Sequence, residues 1–197
     1  SYSKPTLTTL NQSLADRHEN GDLPTDSATL TLWTRLFNRG VEYCINKLGI
    51  TKSTPLTTSS GTIALPIDFI TIERVLDSSG NEQLQIPEDK SVEASGALFW
   101  ITGSFSGGFF LNTPSDKTYT VYYQYHPSPM SSDSDTCPFP DEEAIVAYAY
   151  GQLRKGETDP FEDSGNALAE CDARLREIAH QFNNNETNPR FTLQTNA

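Results

Sequence analysis

Apolar residues recur along this chain with two different periods, and the places where the period changes divide it. A first helix opens near Pro5 and carries Leu7, Leu10 and Leu14 at helical spacing, until Asn20-Gly21, a strong turn dipeptide, breaks it. A second helix of about 22 residues follows, with Leu30, Trp33, Phe37, Val41, Cys44, Ile45 and Leu48 on one continuous stripe. Thr25, Asp26 or Ser27 can cap its start, and Gly49 ends it. Arg35, Arg39 and Lys47 lie off the stripe.

From residue 51 the pattern becomes short β-prone runs at 51–59, 62–65, 69–76, 84–86, 98–102, 109–112 and 119–125. Ser60-Gly61, the cluster 77–80 and the glycine-rich stretch 103–108 punctuate them as turns. Six or seven strands so closely spaced predict a small antiparallel sandwich or barrel. Segment 126–140, with four prolines and a Ser/Asp cluster, leads out of it. A third helix is capped by Asp141, with Glu142 and Glu143 in the first turn where the helix dipole favours them. Its Ala144, Ala147 and Gly151 form a small-residue ridge that lets another helix approach closely, and Gly156 stops it. Asp159-Pro160 starts a fourth helix with Phe161, Leu168, Cys171, Leu175, Ile178 and Phe182 as its stripe. Residues 183–197 have no helical period.

The chain therefore reads as an α+β protein. A four-helix domain is formed by an N-terminal pair (1–50) and a C-terminal pair (141–182). Between the pairs come an inserted antiparallel β-sandwich or barrel (51–125) and a linker (126–140), and an extended C-terminal tail (183–197) closes the chain.

Composition narrows the partners. Leu, Ile, Val and Phe make up only about 22% of the 197 residues, little above the level of disordered chains, so the core is thin for the length. The net charge is −12, and residues 126–197 alone carry 13 acidic against 5 basic side chains. Such acidity argues against ordinary duplex binding, which needs Lys and Arg at the phosphates, and against an anionic membrane surface. No apolar run is long enough to span a bilayer, no signal peptide opens the chain, and Ser1 reads as the residue left after initiator Met removal. The three cysteines, Cys44, Cys137 and Cys171, form no CxxC pair and read as reduced core thiols, which points to assembly in a cytoplasm.

A search for chemistry finds no catalytic constellation. His18, His126 and His180 do not stand at metal-ligand spacing with one another or with a cysteine. The stretch 103–108 is no nucleophile elbow, since Phe105 stands where the serine would be. Asp133 and Asp135 do not open a calcium loop, because Pro138 and Ala144 occupy the positions of its glycine and glutamate. The expectation is therefore a protein that is not an enzyme and holds no cofactor and no metal. Trp100, Phe109, Phe110 and the tyrosines at 119, 122, 123 and 125 concentrate aromatic surface in the β region. They read either as a stacking platform for sugar or single-stranded nucleic acid, or, the favoured reading, as core filled by alternate residues of one strand.

The order of parts, more than any one residue, points to a family. The spaced leucines of the first helix, the second helix with Trp33 and Asn38, Leu65-Pro66-Ile67-Asp68-Phe69-Ile70 leading into Glu73-Arg74-Val75-Leu76-Asp77, Trp100 before a glycine-rich turn, and Tyr119 to Tyr125 before Pro-Ser-Pro-Met-Ser together resemble bacteriophage head-to-tail adaptor (connector) proteins. The chain is similar to the tail tubular A or gatekeeper type below the portal. That resemblance implies a structural virion protein of the neck, assembled in the bacterial host cytoplasm. It would form a ring of about twelve copies, bind the portal protein and the next tail component, and let genomic DNA pass without specific binding. It also implies that the tail docks on the portal, with Arg190, Phe191, Thr192 and Leu193 as candidate contacts. Phe105, Phe109 and Phe110 are candidate contacts to a tail component or a neighbouring copy. The alternative is a glycan- or receptor-binding tail or fibre module that uses the aromatic β region.

Overall fold

The longest apolar stripe in the sequence becomes the longest helix of the first half of the chain. The computed structural model describes residues 4–18, 20–88, 96–155 and 161–184. Within them helix α1 spans Leu7–His18, α2 Ser27–Leu48, α3 Glu142–Lys155 and α4 Phe161–Asn184. On α2 the side chains of Trp33, Phe37, Val41, Cys44, Ile45 and Leu48 are buried, and of its three candidate caps Asp26 is the one used. Its backbone is extended and its carboxylate accepts the Thr29 N–H at 2.7 Å, which holds the Asp26 carboxyl below its ordinary pKa. Gly49 closes the helix in the left-handed conformation (φ 62°).

Two compact units result. One takes residues 1–50 and 127–197, and the other residues 51–126. In the first unit α3 packs against α1, α2 and α4. Ala144, Ala147 and Gly151 are buried on α3, and at Gly151 the approach of α4 is so close that a Cβ would meet the Leu168 side chain at 2.9 Å. The Ser164 hydroxyl of α4 donates to the Gly151 carbonyl at 2.8 Å across this contact. Cys44, Cys137 and Cys171 are free and buried, and burial pushes the Cys137 thiol up to about 11.

The segment 126–140, read from the sequence as a linker, is fastened along its length to α1 and α2. Helix α1 ends N-terminally in N–H groups that need acceptors. Those of Leu7 and Thr8 donate to the carbonyls of Asp135 and Asp133 at 3.0 and 3.1 Å, and that of Thr9 donates to the Thr6 hydroxyl. Asn38 of α2 clamps Met130 from both sides: its amide donates to the Met130 carbonyl at 2.9 Å and its carbonyl accepts the Met130 N–H at 2.8 Å. Met130, Cys137 and Phe139 are buried. Hydrogen bonds to residues distant in sequence hold this segment in place.

The second unit is one sheet of seven strands: β1 Lys52–Thr57, β2 Thr62–Ala64, β3 Phe69–Asp77, β4 Glu82–Gln85, β5 Leu98–Ser104, β6 Gly108–Asn112 and β7 Thr118–Tyr125. The order is β1-β7-β3-β4-β5-β6-β2. Its two outer strands, β1 and β2, are consecutive in the chain and joined by a tight turn with a Ser59–Thr62 bridge, so the sheet curls until it is nearly closed. Leu65, Val75, Phe99, Leu111, Tyr119, Val121 and Tyr123 fill the inside. The tyrosines at 119 and 123 are thus core, as alternation along β7 requires.

Of the two forms expected, sandwich or barrel, the sheet is barrel-like, but the expectation that it is antiparallel needs correction: it is one mixed sheet, because β4 and β5 pair in parallel, Leu84 opposite Leu98 and Gln85 opposite Phe99. A parallel pair needs a crossover of about a dozen residues, and the connection 86–97 is long enough to supply it.

Candidate functional site

In the β-unit, the two fully exposed large apolar side chains among the described residues sit at turns, while Ile70, Leu84 and Phe110 are partly exposed on strands. Phe105, at the tip of the β5–β6 hairpin, is 100% exposed, and Ile67, in the turn before β3, is likewise fully exposed. The hairpin tip can be so tight because of its glycines. Gly103 stands at φ 118°, and a Cβ there would lie 2.1 Å from the Gly108 carbonyl oxygen. The Ser104 hydroxyl accepts the Gly107 N–H at 3.1 Å. A row of rings then connects the tip to the core: Phe105 meets Phe109 edge-on at 5.4 Å, Phe109 lies 5.7 Å from Phe69, and Phe69 lies 6.1 Å from the buried Tyr123. The Pro66 carbonyl accepts the Phe69 N–H at 3.0 Å, which closes the turn that presents Ile67.

The three candidate phenylalanines are therefore not one patch. Phe105 and Phe109 touch, but Phe110 points to the opposite face of β6, since successive strand residues alternate. It is 37% exposed there. Arg190, Phe191, Thr192 and Leu193 lie outside the described residues.

The turn that carries Ile67 is anchored by Asp68. Lys52 bonds its carboxylate at 2.6 Å and the Tyr123 hydroxyl donates to it at 3.1 Å, while the Lys52 ammonium sits 4.3 Å from the centre of the Tyr125 ring. Partial burial pulls the Asp68 pKa up, but the bonds from Lys52 and Tyr123 outweigh it, and the net shift is downward. Burial and the bond to Asp68 push Tyr123 up to about 12.

The helical unit carries its charges in a second cluster. Asp141 is buried, caps α3 by accepting the Ala144 N–H at 3.0 Å, and accepts the Arg174 Nε–H at 3.0 Å. Arg174 also donates to Glu177 at 2.8 Å, Arg17 pairs with Glu170 at 2.6 Å, and the Ser13 hydroxyl donates to Glu142. The bond to Asp141, foremost, keeps Arg174 charged. Asp141, Glu142 and Glu170 are each tied to a partner on another helix, an arrangement that joins helices, while Glu177 pairs with Arg174 along α4. Among the described residues no group of three or more His, Cys, Asp or Glu is placed to hold a metal ion, and no helix is long and apolar enough to cross a membrane.

A groove of about 610 Å³ opens in the same unit between α1, α2 and the segment after Met130. Leu7, Leu23, Leu30 and Met130 give it apolar walls, and Leu23 is half exposed there.

This α+β chain, with a helical unit formed from both ends and a barrel-like insertion, matches the family model of the SU10 adaptor protein over residues 5–193. The chain belongs to the SU10 adaptor protein family. It is a bacteriophage adaptor, a structural component of the virion that takes part in its assembly. No curated protein matches this adaptor's sequence. The aromatic platform that would have served a glycan is largely the adaptor's own barrel core.

Proposed function

We propose that this adaptor forms a ring beneath the portal, extends the DNA channel and offers the tail its attachment surface, as adaptors of the tail tubular A or gatekeeper type do. The observation that carries the reading is the family match across 5–193, which takes in the helical and β units alike and reaches the tail that would meet the portal. About twelve copies make the ring, assembled in the host cytoplasm. Arg190, Phe191, Thr192 and Leu193 dock on the portal, and the exposed turn residues of the β-unit, Phe105 foremost with Phe109 behind it, meet a neighbouring copy or the next tail component. Genomic DNA passes without specific binding, because a chain of net charge −12 offers phosphates no deep electrostatic trap.

Electron microscopy of the protein mixed with the portal protein of its phage tests this. A ring capping the narrow end of the portal is the expected result, and a chain lacking residues 186–197 stays folded and monomeric without binding the portal. Portal binding by the truncated chain overturns the role of the tail. A tight, salt-insensitive affinity for free duplex DNA overturns the role of the charge.

A further inference from the structure

Two features left over by the fold complement one another. The first is the β5–β6 tip. Phe105 stands free in solvent, the six residues 103–108 carry no charge in a chain of net −12, and the N–H groups of Phe105 and Ser106 have no protein acceptor among the described residues. The second is the groove between α1 and α2. Its volume of about 610 Å³ has room for an aromatic side chain, its charged lining residues, Arg35 and Asp133, are of opposite sign, and it is rimmed by the half-exposed Leu23. Asn11 lines it, is itself buried, and its side-chain carbonyl oxygen has no donor among the described residues. A buried acceptor without a donor is costly, and an N–H brought to this wall would relieve that cost.

We propose that the β5–β6 tip of one copy docks in the α1–α2 groove of the next copy, with Phe105 as the anchor. The occupant is a second copy of this chain because the tip supplies what the groove lacks, an aromatic knob, free backbone donors and no net charge, and both features belong to the same sequence. Knob and hole lie on different surfaces, so the contact is heterologous: each copy gives a tip to one neighbour and a groove to the other, the kind of contact that generates rings. The inference rests on the reading that copies assemble side by side. It adds which surfaces meet. An uncharged anchor also makes this contact insensitive to salt, unlike one held by ion pairs.

Two variants, Ser106→Cys on one chain, which keeps the Phe105 anchor, and Thr31→Cys on another, test it. Each is mixed with the other in the portal-bound assembly and treated with a short bis-maleimide, the native thiols being buried. A covalent heterodimer that forms only when both chains are present is expected. Phe105→Ala is expected to weaken association of copies about 30-fold without lowering the melting temperature. Assembly on the portal without the 106–31 product overturns this inference and leaves the adaptor reading standing. The product without any ring on the portal does the reverse, and absence of both overturns both. A product between two Ser106→Cys chains, or a synthetic peptide of residues 185–197 that occupies the Thr31 side and blocks the product, assigns the groove or the tip to another occupant and overturns the proposal.

Discussion

The helical unit and the β-unit bury their apolar side chains by different means. The β-unit is continuous in sequence, residues 51–126, and its core comes from alternation along paired strands, so neighbours in the chain already specify most of the inside. The helical unit is drawn from both ends of the chain. It relies on polar bonds between residues far apart: Asn38 to Met130, Leu7 and Thr8 to the 133–135 carbonyls, Arg17 to Glu170, Arg174 to Asp141. The β-unit has fully exposed apolar side chains at its turns, and the helical unit has polar groups tied to partners far along the chain. A local pattern can therefore specify a barrel core, whereas a discontinuous bundle needs long-range partners that no window of sequence displays.

The largest effect should come from the bundle core. Phe37→Ala removes a fully buried ring and should cost about 3–5 kcal/mol. The chain's two tryptophans, Trp33 and Trp100, fall one in each unit, so fluorotryptophan labelling gives each unit its own fluorine resonance. On heating, the Trp33 resonance of the variant should report unfolding at a lower temperature while that of Trp100 shifts less. Equal shifts would show that the two units unfold as one and that the contrast has no thermodynamic meaning.

Next comes the long-range polar network. Asp141→Ala takes away the cap of α3 and leaves Arg174 without its buried partner, for about 2–3 kcal/mol in urea unfolding. The double variant Asp141→Ala/Arg174→Met should recover part of that loss, because an apolar pair is less costly than one stranded charge. If the double variant is as unstable as the sum of its parts, the network acts through more than this pair.

The Asp68 anchor of the β-unit should respond to pH in a defined direction. Its folded pKa is depressed, so the stability it contributes is present above the ordinary carboxylate pKa and is lost as pH falls through the folded value. Asp68→Asn should flatten that acid limb at a cost of about 1–2 kcal/mol near neutrality. Tyr123 responds at the other end of the scale: its raised pKa contributes stability below pH 10 that is lost as pH rises toward about 12. In Asp68→Asn the Tyr123 titration, followed by ultraviolet difference absorbance, should move back toward 10.

Much of this fold was legible beforehand, for reasons specific to each element. The α2 stripe, its Asp26 cap and Gly49 are local signals, and so is the alternation of β7 that places Tyr119 and Tyr123 inside. The small residues of α3 announced a close helix neighbour, which Gly151 meets in Leu168 of α4. The parallel β4–β5 pair was not legible, because pairing partners are chosen by the whole sheet and the two short strands carry no mark of direction. Nor was the capping of α1 by the carbonyls of Asp133 and Asp135, since a carbonyl acceptor leaves no trace in residue type. Of the candidate contacts, the exposure of Phe105 followed from its glycine-rich turn, while the separation of Phe110 from Phe109 needed the strand register.

The smallest expected effect bears most directly on the contrast between the units. If the β-unit's exposed turn side chains serve association, Phe105→Ser should change thermal stability by less than about 0.5 kcal/mol, as for a surface substitution that touches little. Phe109→Ser, one ring further in, loses contact with both Phe105 and Phe69 and should cost about 1 kcal/mol. The two variants are separated by four residues but by a whole layer of packing. Equal stability losses would mean that the tip ring holds the barrel together, and Phe105 would then belong to the fold. Unequal losses, with Phe105→Ser neutral for folding yet impaired in assembly, would separate what the β-unit buries for itself from what it presents to another chain.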